Sequence, residues 1–127
     1  MIKDFLILNC TGTNDKLGLR IKEEFFIHSF ERKIKDYDAL VLIIMKFLEK
    51  HKVNLDDNFS ILVNKGPGSF SSIRIALTVA RGIKISKKVK LFGYKNSDLV
   101  QFNLENIELL INKNLLEKKL IKPLYLS

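Results

Sequence analysis

The sequence predicts an α/β protein, a mixed five-stranded sheet flanked by helices, and three stretches carry that expectation. Phe5 to Cys10 reads FLILNC, a nearly continuous apolar run that suits a strand buried on both faces. Across residues 36–51, Tyr37, Leu40, Val41, Ile44, Met45, Phe47 and Leu48 recur at three- and four-residue steps, the spacing of a helix. From Ile61 to Gly82 an apolar run, a Gly-Pro-Gly-Ser turn and a second helical spacing succeed one another, which spells strand, tight loop, helix. With 127 residues, 46% of them apolar, the chain has the size of one domain able to bury a core.

FLILNC is the expected central strand. Gly12, Asn14 and Asp15 give Thr11 to Lys16 turn chemistry, and Leu17 to Ile21 and Phe25 to Phe30 read as two further strands of an antiparallel meander, with Lys22, Glu23 and Glu24 as the charged bend. In the first helix Asp36 is the expected cap. Its polar positions Asp38, Lys46, Glu49 and Lys50 share one narrow sector, while apolar residues cover more than half the circumference. Packing on a sheet needs a stripe of only about 100°, so a further surface is expected to cover the excess.

Ile61 to Val63 is the next strand. In the turn, Gly66 and Gly68 permit positive φ and close approach, Pro67 fixes one φ, and Ser69 is expected to cap the helix that begins at Phe70. That helix has a core stripe of Phe70, Ile73, Ala76, Leu77, Ala80 and Ile83. Opposite it runs a track of mostly small residues, Ser71, Ile75, Thr78 and Gly82, with Arg74 and Arg81 flanking one edge. Small side chains let another helix approach closely, either the first helix of the same subunit or one from a partner. Val89 to Tyr94 reads as a strand, Asn96 to Phe102 as a short helix capped by Asn96 or Ser97, Ile107 to Ile111 as a strand and Leu115 to Leu120 as a short helix, with Pro123 restricting the last few residues.

Several chemistries lack their residues. His28 and His51 fall in different elements and Cys10 stands alone, so neither a metal site nor a disulfide is spelled out. Lys3 and Asp4 interrupt any signal-peptide pattern, and the longest apolar run, Ala39 to Met45, is far short of the ~20 residues of a membrane span; a cytoplasmic protein without membrane contact is expected. The glycine turn could present helix N–H groups to a phosphate, making a small nucleotide-binding enzyme one reading. A Walker loop, however, ends in Lys and then Ser or Thr, whereas this turn runs on into Phe70, Ser71 and Ser72. Nor is GPGSF a Gly-x-Ser-x-Gly elbow. A net charge of +8, with Lys84, Lys87, Lys88, Lys90 and Lys95 around one junction, leaves a basic RNA-binding module as another reading, although no aromatic interleaving or RNA-recognition signature accompanies it. No catalytic residue and no cofactor is expected.

The string Gly66-Pro67-Gly68-Ser69-Phe70, then Ile73-Arg74-Ile75 and an Ala/Gly-containing helix, resembles the signature of the TsaB (YeaZ) family of bacterial proteins. The apolar first strand ending near Asn9-Cys10-Thr11 and the closing Pro123-Leu124-Tyr125-Leu126 are similar too, while Ser71 and Ser72 stand where Thr and Gly are usual. The resemblance implies one lobe of the actin-like, ribonuclease-H-like architecture (the ASKHA fold) over residues 1–104. A short tail, 105–127, would replace a second lobe that is missing or much reduced.

It further implies a non-catalytic partner of a TsaD-like protein in making N6-threonylcarbamoyladenosine on tRNA. Its expected pairing surface is Leu40, Val41, Ile44, Met45 and Leu48 on one helix and Ser71, Ile75, Thr78, Arg81 and Gly82 on the other. A homodimer through the same face is expected when the partner is absent, a TsaE-like ATPase is a further implied partner, and tRNA contact would be indirect or weak. Actin-like enzymes hold magnesium through an acidic residue at the end of the first strand, where this chain has Asn9, an amide without charge to balance the ion.

Overall fold

The computed structural model describes residues 2–30, 34–118 and 121–125. Its single sheet has the order β3-β2-β1-β4-β5. The strands are β1 (Phe5–Asn9), β2 (Lys16–Ile21), β3 (Glu24–Ser29), β4 (Ser60–Asn64) and β5 (Lys90–Tyr94). β1 lies at the centre, as its two-sided burial demands, pairing antiparallel with β2 and parallel with β4. Lys22 and Glu23 form the two-residue hairpin turn, both at positive φ, which is the backbone that a twisted hairpin requires.

Helices α1 (Tyr37–Lys50) and α2 (Phe70–Lys87) cross between parallel strands on one face, where Leu6, Leu8, Leu17, Leu19, Ile61 and Val63 meet Leu40, Ile44, Ile73 and Ala76. Asp36 caps α1, its Oδ1 accepting the Ala39 N–H at 2.8 Å. The other face carries Phe5, Ile7, Leu62 and Tyr94 beneath a third helix, α3 (Leu104–Asn112).

That helix is where the sequence misleads. Ile107 to Ile111 is helical rather than extended: Ile107 and Leu110 point to the core while Glu105, Glu108 and Asn112 are exposed, a three-residue step rather than alternation. Asn103 caps it, accepting the Asn106 N–H at 2.8 Å. Residues 96–102, expected as a helix, form only a 3-10 turn at Asn96–Asp98. α3 begins at the boundary expected at residue 104, and its Ile107 and Leu110 complete the second core.

Beyond α3 the chain straps the open side of β5. Glu117, expected in a helix, forms an antiparallel bridge with Gly93 in which each N–H meets the other's carbonyl at 2.8 Å. Gly93 is required here because a Cβ would come within 2.7 Å of Ile121, which enters the α1/α2 core. Lys119, Leu120 and Leu126, parts of the expected closing elements, lie outside the described residues.

Candidate functional site

The carboxyl ends of β1, β4 and β5 converge on Asn64. This side chain is fully buried; its Nδ2 donates to Asn9 Oδ1 at 2.7 Å and to Asn96 Oδ1 at 3.0 Å, and its Oδ1 accepts the Gly66 N–H at 2.8 Å. The Tyr94 hydroxyl donates to the same Asn9 oxygen at 3.0 Å. Burial pushes the Tyr94 phenol well above its usual 10.0, with Cys10 adding to the shift, and burial together with Asp15 pushes the Cys10 thiol well above its usual 9.0. Both groups are therefore neutral at pH 7. Asn9, at the position where the resemblance implies an acid in ATPases, is engaged by two partners of its own subunit.

The Gly66–Ser69 turn is stitched to its surroundings by backbone bonds. Lys65 donates to the Tyr94 carbonyl at 2.9 Å and accepts from Leu124 at 2.7 Å, Gly66 accepts from Asn96 at 2.8 Å, and the Ser69 N–H reaches the Thr11 carbonyl at 2.8 Å. Gly66 sits at φ +99°, and a Cβ there would fall 2.0 Å from the Leu124 oxygen, so only glycine admits the strap. The Gly66 and Ser69 N–H groups are thus bonded within the protein.

Ser69 occupies the cap position, yet its hydroxyl accepts no backbone N–H of the first turn of α2 and instead pairs with Ser71 Oγ at 3.4 Å; the expected side-chain cap is absent. Ser72, buried in that turn, has a hydroxyl with no hydrogen-bond partner among the described residues. Exposed Phe70 packs on Tyr125, ring centroids 4.6 Å apart, with the Arg74 guanidinium 5.8 Å from the Phe70 ring. Buried Lys65 pairs with Glu117.

The helix pair divides the expected surface in two. Leu40, Ile44, Leu48 and Ile75 are buried in the subunit's own core, which corrects their assignment to a partner surface: the three on α1, at four-residue steps, share the face that meets the sheet. Val41 at 37% exposure, half-buried Met45, and exposed Ser71, Thr78 and Gly82 remain on the outer side. Leu42, 55% exposed, joins them although the spacing gave no sign of it. No heavy atom outside the local helix lies within 4 Å of where a Gly82 Cβ would stand, so the gap beside it is open. Arg81 is exposed but tied to the strap, donating to the Ile121 carbonyl at 2.6 Å.

A feature that sequence reading missed lies on the far side of α1. Phe26 stacks on His51 at 3.9 Å, while Phe47 packs 5.3 Å from His51 and 5.7 Å from His28. Only the placement of β3 beside α1 could have shown that the two histidines share a ring, since spacing within either element says nothing of the other. Among the described residues no group of three or more His, Cys, Asp or Glu is placed to hold a metal ion, and no helix is long and apolar enough to cross a membrane.

Known proteins of similar sequence and shape agree on one family. The family model for TsaD, tRNA N6-adenosine threonylcarbamoyltransferase, matches residues 37–102, just over half the chain. The chain belongs to this family. Curated relatives and solved structures similar to it include TsaB (YeaZ) proteins. The tRNA threonylcarbamoyladenosine biosynthesis protein TsaB of Buchnera aphidicola subspecies Acyrthosiphon pisum is 30% identical over 69% of this chain and 41% of its own length. TsaB of the Baizongia pistaciae subspecies is 38% identical over 67% and 38%.

YeaZ from Pseudomonas aeruginosa superposes with a TM-score of 0.68 at 18% identity, covering 76% of this chain and 46% of that one. That superposition shows the fold, the mixed sheet of the actin-like, ribonuclease-H-like class. The chain spans about two-fifths of the length of the curated relatives it matches.

Proposed function

We propose that this protein is a non-catalytic subunit in the synthesis of threonylcarbamoyladenosine on tRNA, docking a TsaD-like partner through the outer side of α1 and α2. The observation that carries the reading is the apolar surface left on this helix pair: Val41, Leu42 and Met45 stand on α1 beside the small track Ser71, Thr78 and Gly82 on α2. Exposed aliphatic side chains beside a row of small ones suit ridge-into-groove packing by helices of a second subunit. The relatives' names supply the pathway, and their partnership with a TsaD-like enzyme is implied by the resemblance of the Gly66–Gly82 segment.

The same face would pair two copies when the partner is absent, since a self-complementary helix pair forms an isologous dimer. A TsaE-like ATPase would join the assembly in the cytoplasm, and tRNA would meet the partner rather than this chain. Carbamoyl transfer belongs to the partner in this reading.

Sedimentation velocity with the TsaD-like subunit tests the proposal. Leu42→Arg and Thr78→Arg each place a charge on the surface without touching the core and should weaken the complex by about tenfold or more. Unchanged binding in both variants refutes the surface. Ile75→Arg is no test, because Ile75 is buried and the change would unfold the chain.

A further inference from the structure

The sheet is bridged at Gly93 on its β5 edge, and among the described residues no strand pairs with β3 on its outer edge. Register fixes which atoms of β3 face outward: Ile21 opposite Glu24 closes the two-residue turn, and the Phe30 N–H bonds the Asp15 carbonyl at 3.1 Å at the other end. Ladder alternation between these ends turns the N–H and C=O of Glu24, Phe26 and His28 toward β2, leaving those of Phe25, Ile27 and Ser29 directed away from the sheet. β3 has exposed or half-exposed side chains throughout.

Alongside this edge, between β3 and α1, runs a cleft of about 500 Å³. Phe26, His28, Phe47 and His51 form its walls, and Lys46 and Lys50 stand on the α1 side. No carboxylate is among its lining residues. On the opposite side of the strand Ile27 is 48% exposed, next in the register to Gly18.

We propose that β3 and α1 form a docking groove for an extended acidic peptide segment of another protein, which adds to the sheet as a sixth strand. Bonds to the Phe25, Ile27 and Ser29 backbone set its register; alternate side chains enter the cleft, where carboxylates meet Lys46 and Lys50 over the aromatic floor, and the intervening apolar side chains cover Ile27. Charge selects the occupant. A second copy of this chain would bring a net charge of +8 and its own Lys46 and Lys50 against the same rim, whereas an acidic strand is attracted to it. This surface lies on the side of α1 away from α2, so it leaves the helix-pair face free and its test is independent of the proposed function.

The 127-residue chain is titrated with a fluorescein-labelled peptide of alternating Glu and Val, about seven residues long to match an ordinary strand, and with two controls. One control has Lys in place of Glu, and the other is N-methylated at alternate residues. Binding by the acidic peptide, lost on N-methylation and weakened about tenfold by the Lys peptide or by the double variant Lys46→Glu and Lys50→Glu, is the expected result. Ile27→Pro removes one outward N–H without touching the ladder to β2 and should abolish binding. The proposal is overturned if the acidic peptide does not bind, or if it binds equally after N-methylation or charge reversal. Self-association that Ile27→Pro removes would likewise overturn it, by naming a second copy as the occupant.

Discussion

Asn64 joins three strand ends with one side chain, and the cost of losing it can be stated. Asn64→Ala leaves the Gly66 N–H without its acceptor and separates Asn9 from Asn96. A buried donor left unpaired costs about 1–3 kcal/mol, so urea unfolding should show a loss of that size with an unchanged m-value. The sequence marked Asn9 by its place at the end of an apolar strand, but nothing marked Asn64, because the partners that make it buried and bonded lie 55 and 32 residues away. The same limit applies to Ser69: its residue type suits a cap, yet its hydroxyl points to Ser71 instead, a choice of rotamer that no spacing encodes.

At the scale of elements, periodicity served well wherever one face was continuous. β1, α1, β4 and β5 lie within a residue or two of their expected spans, and α2 begins where expected but runs on past Gly82 to Lys87, since buried strands and long amphipathic helices write their pattern into every turn. α3 did not, because a short run holding a single charged residue, Glu108, fits alternation as well as a helical step, and only the core beneath Ile107 and Leu110 decides. The helix-pair surface was half legible: the small track on α2 was readable, but separating Val41 and Leu42 from Leu40 and Ile44 needs the crossing angle of α1 on the sheet. Gly82 gives this scale its prediction. Its surroundings are open in the isolated subunit, so Gly82→Ala should raise the unfolding free energy by about 1 kcal/mol through helix propensity. In sedimentation the added methyl should weaken the partner complex, since it fills the approach that a second helix would use. Tighter or equal binding would place the docking helix elsewhere.

For the molecule as a whole, the segment after α3 is part of the architecture. Ile121 closes the core over Gly93, the Ile121 carbonyl takes Arg81, and Leu124 and Tyr125 lie on the Gly66–Phe70 corner. Ile121→Ala should therefore cost about 2–5 kcal/mol, the range for a buried aliphatic cut to a methyl, read as a lowered thermal midpoint. A change within measurement error would mean that the strap rests on the lobe without stabilising it. Composition alone gave no hint of this, because Glu117 reaches Gly93 by backbone bonds, which any residue type can make. The bridge also bears on how such molecules aggregate. Glu117 takes both the N–H and the C=O that Gly93 turns outward, so a foreign strand laid along β5 would meet an occupied position partway down its length and could not extend the ladder in continuous register.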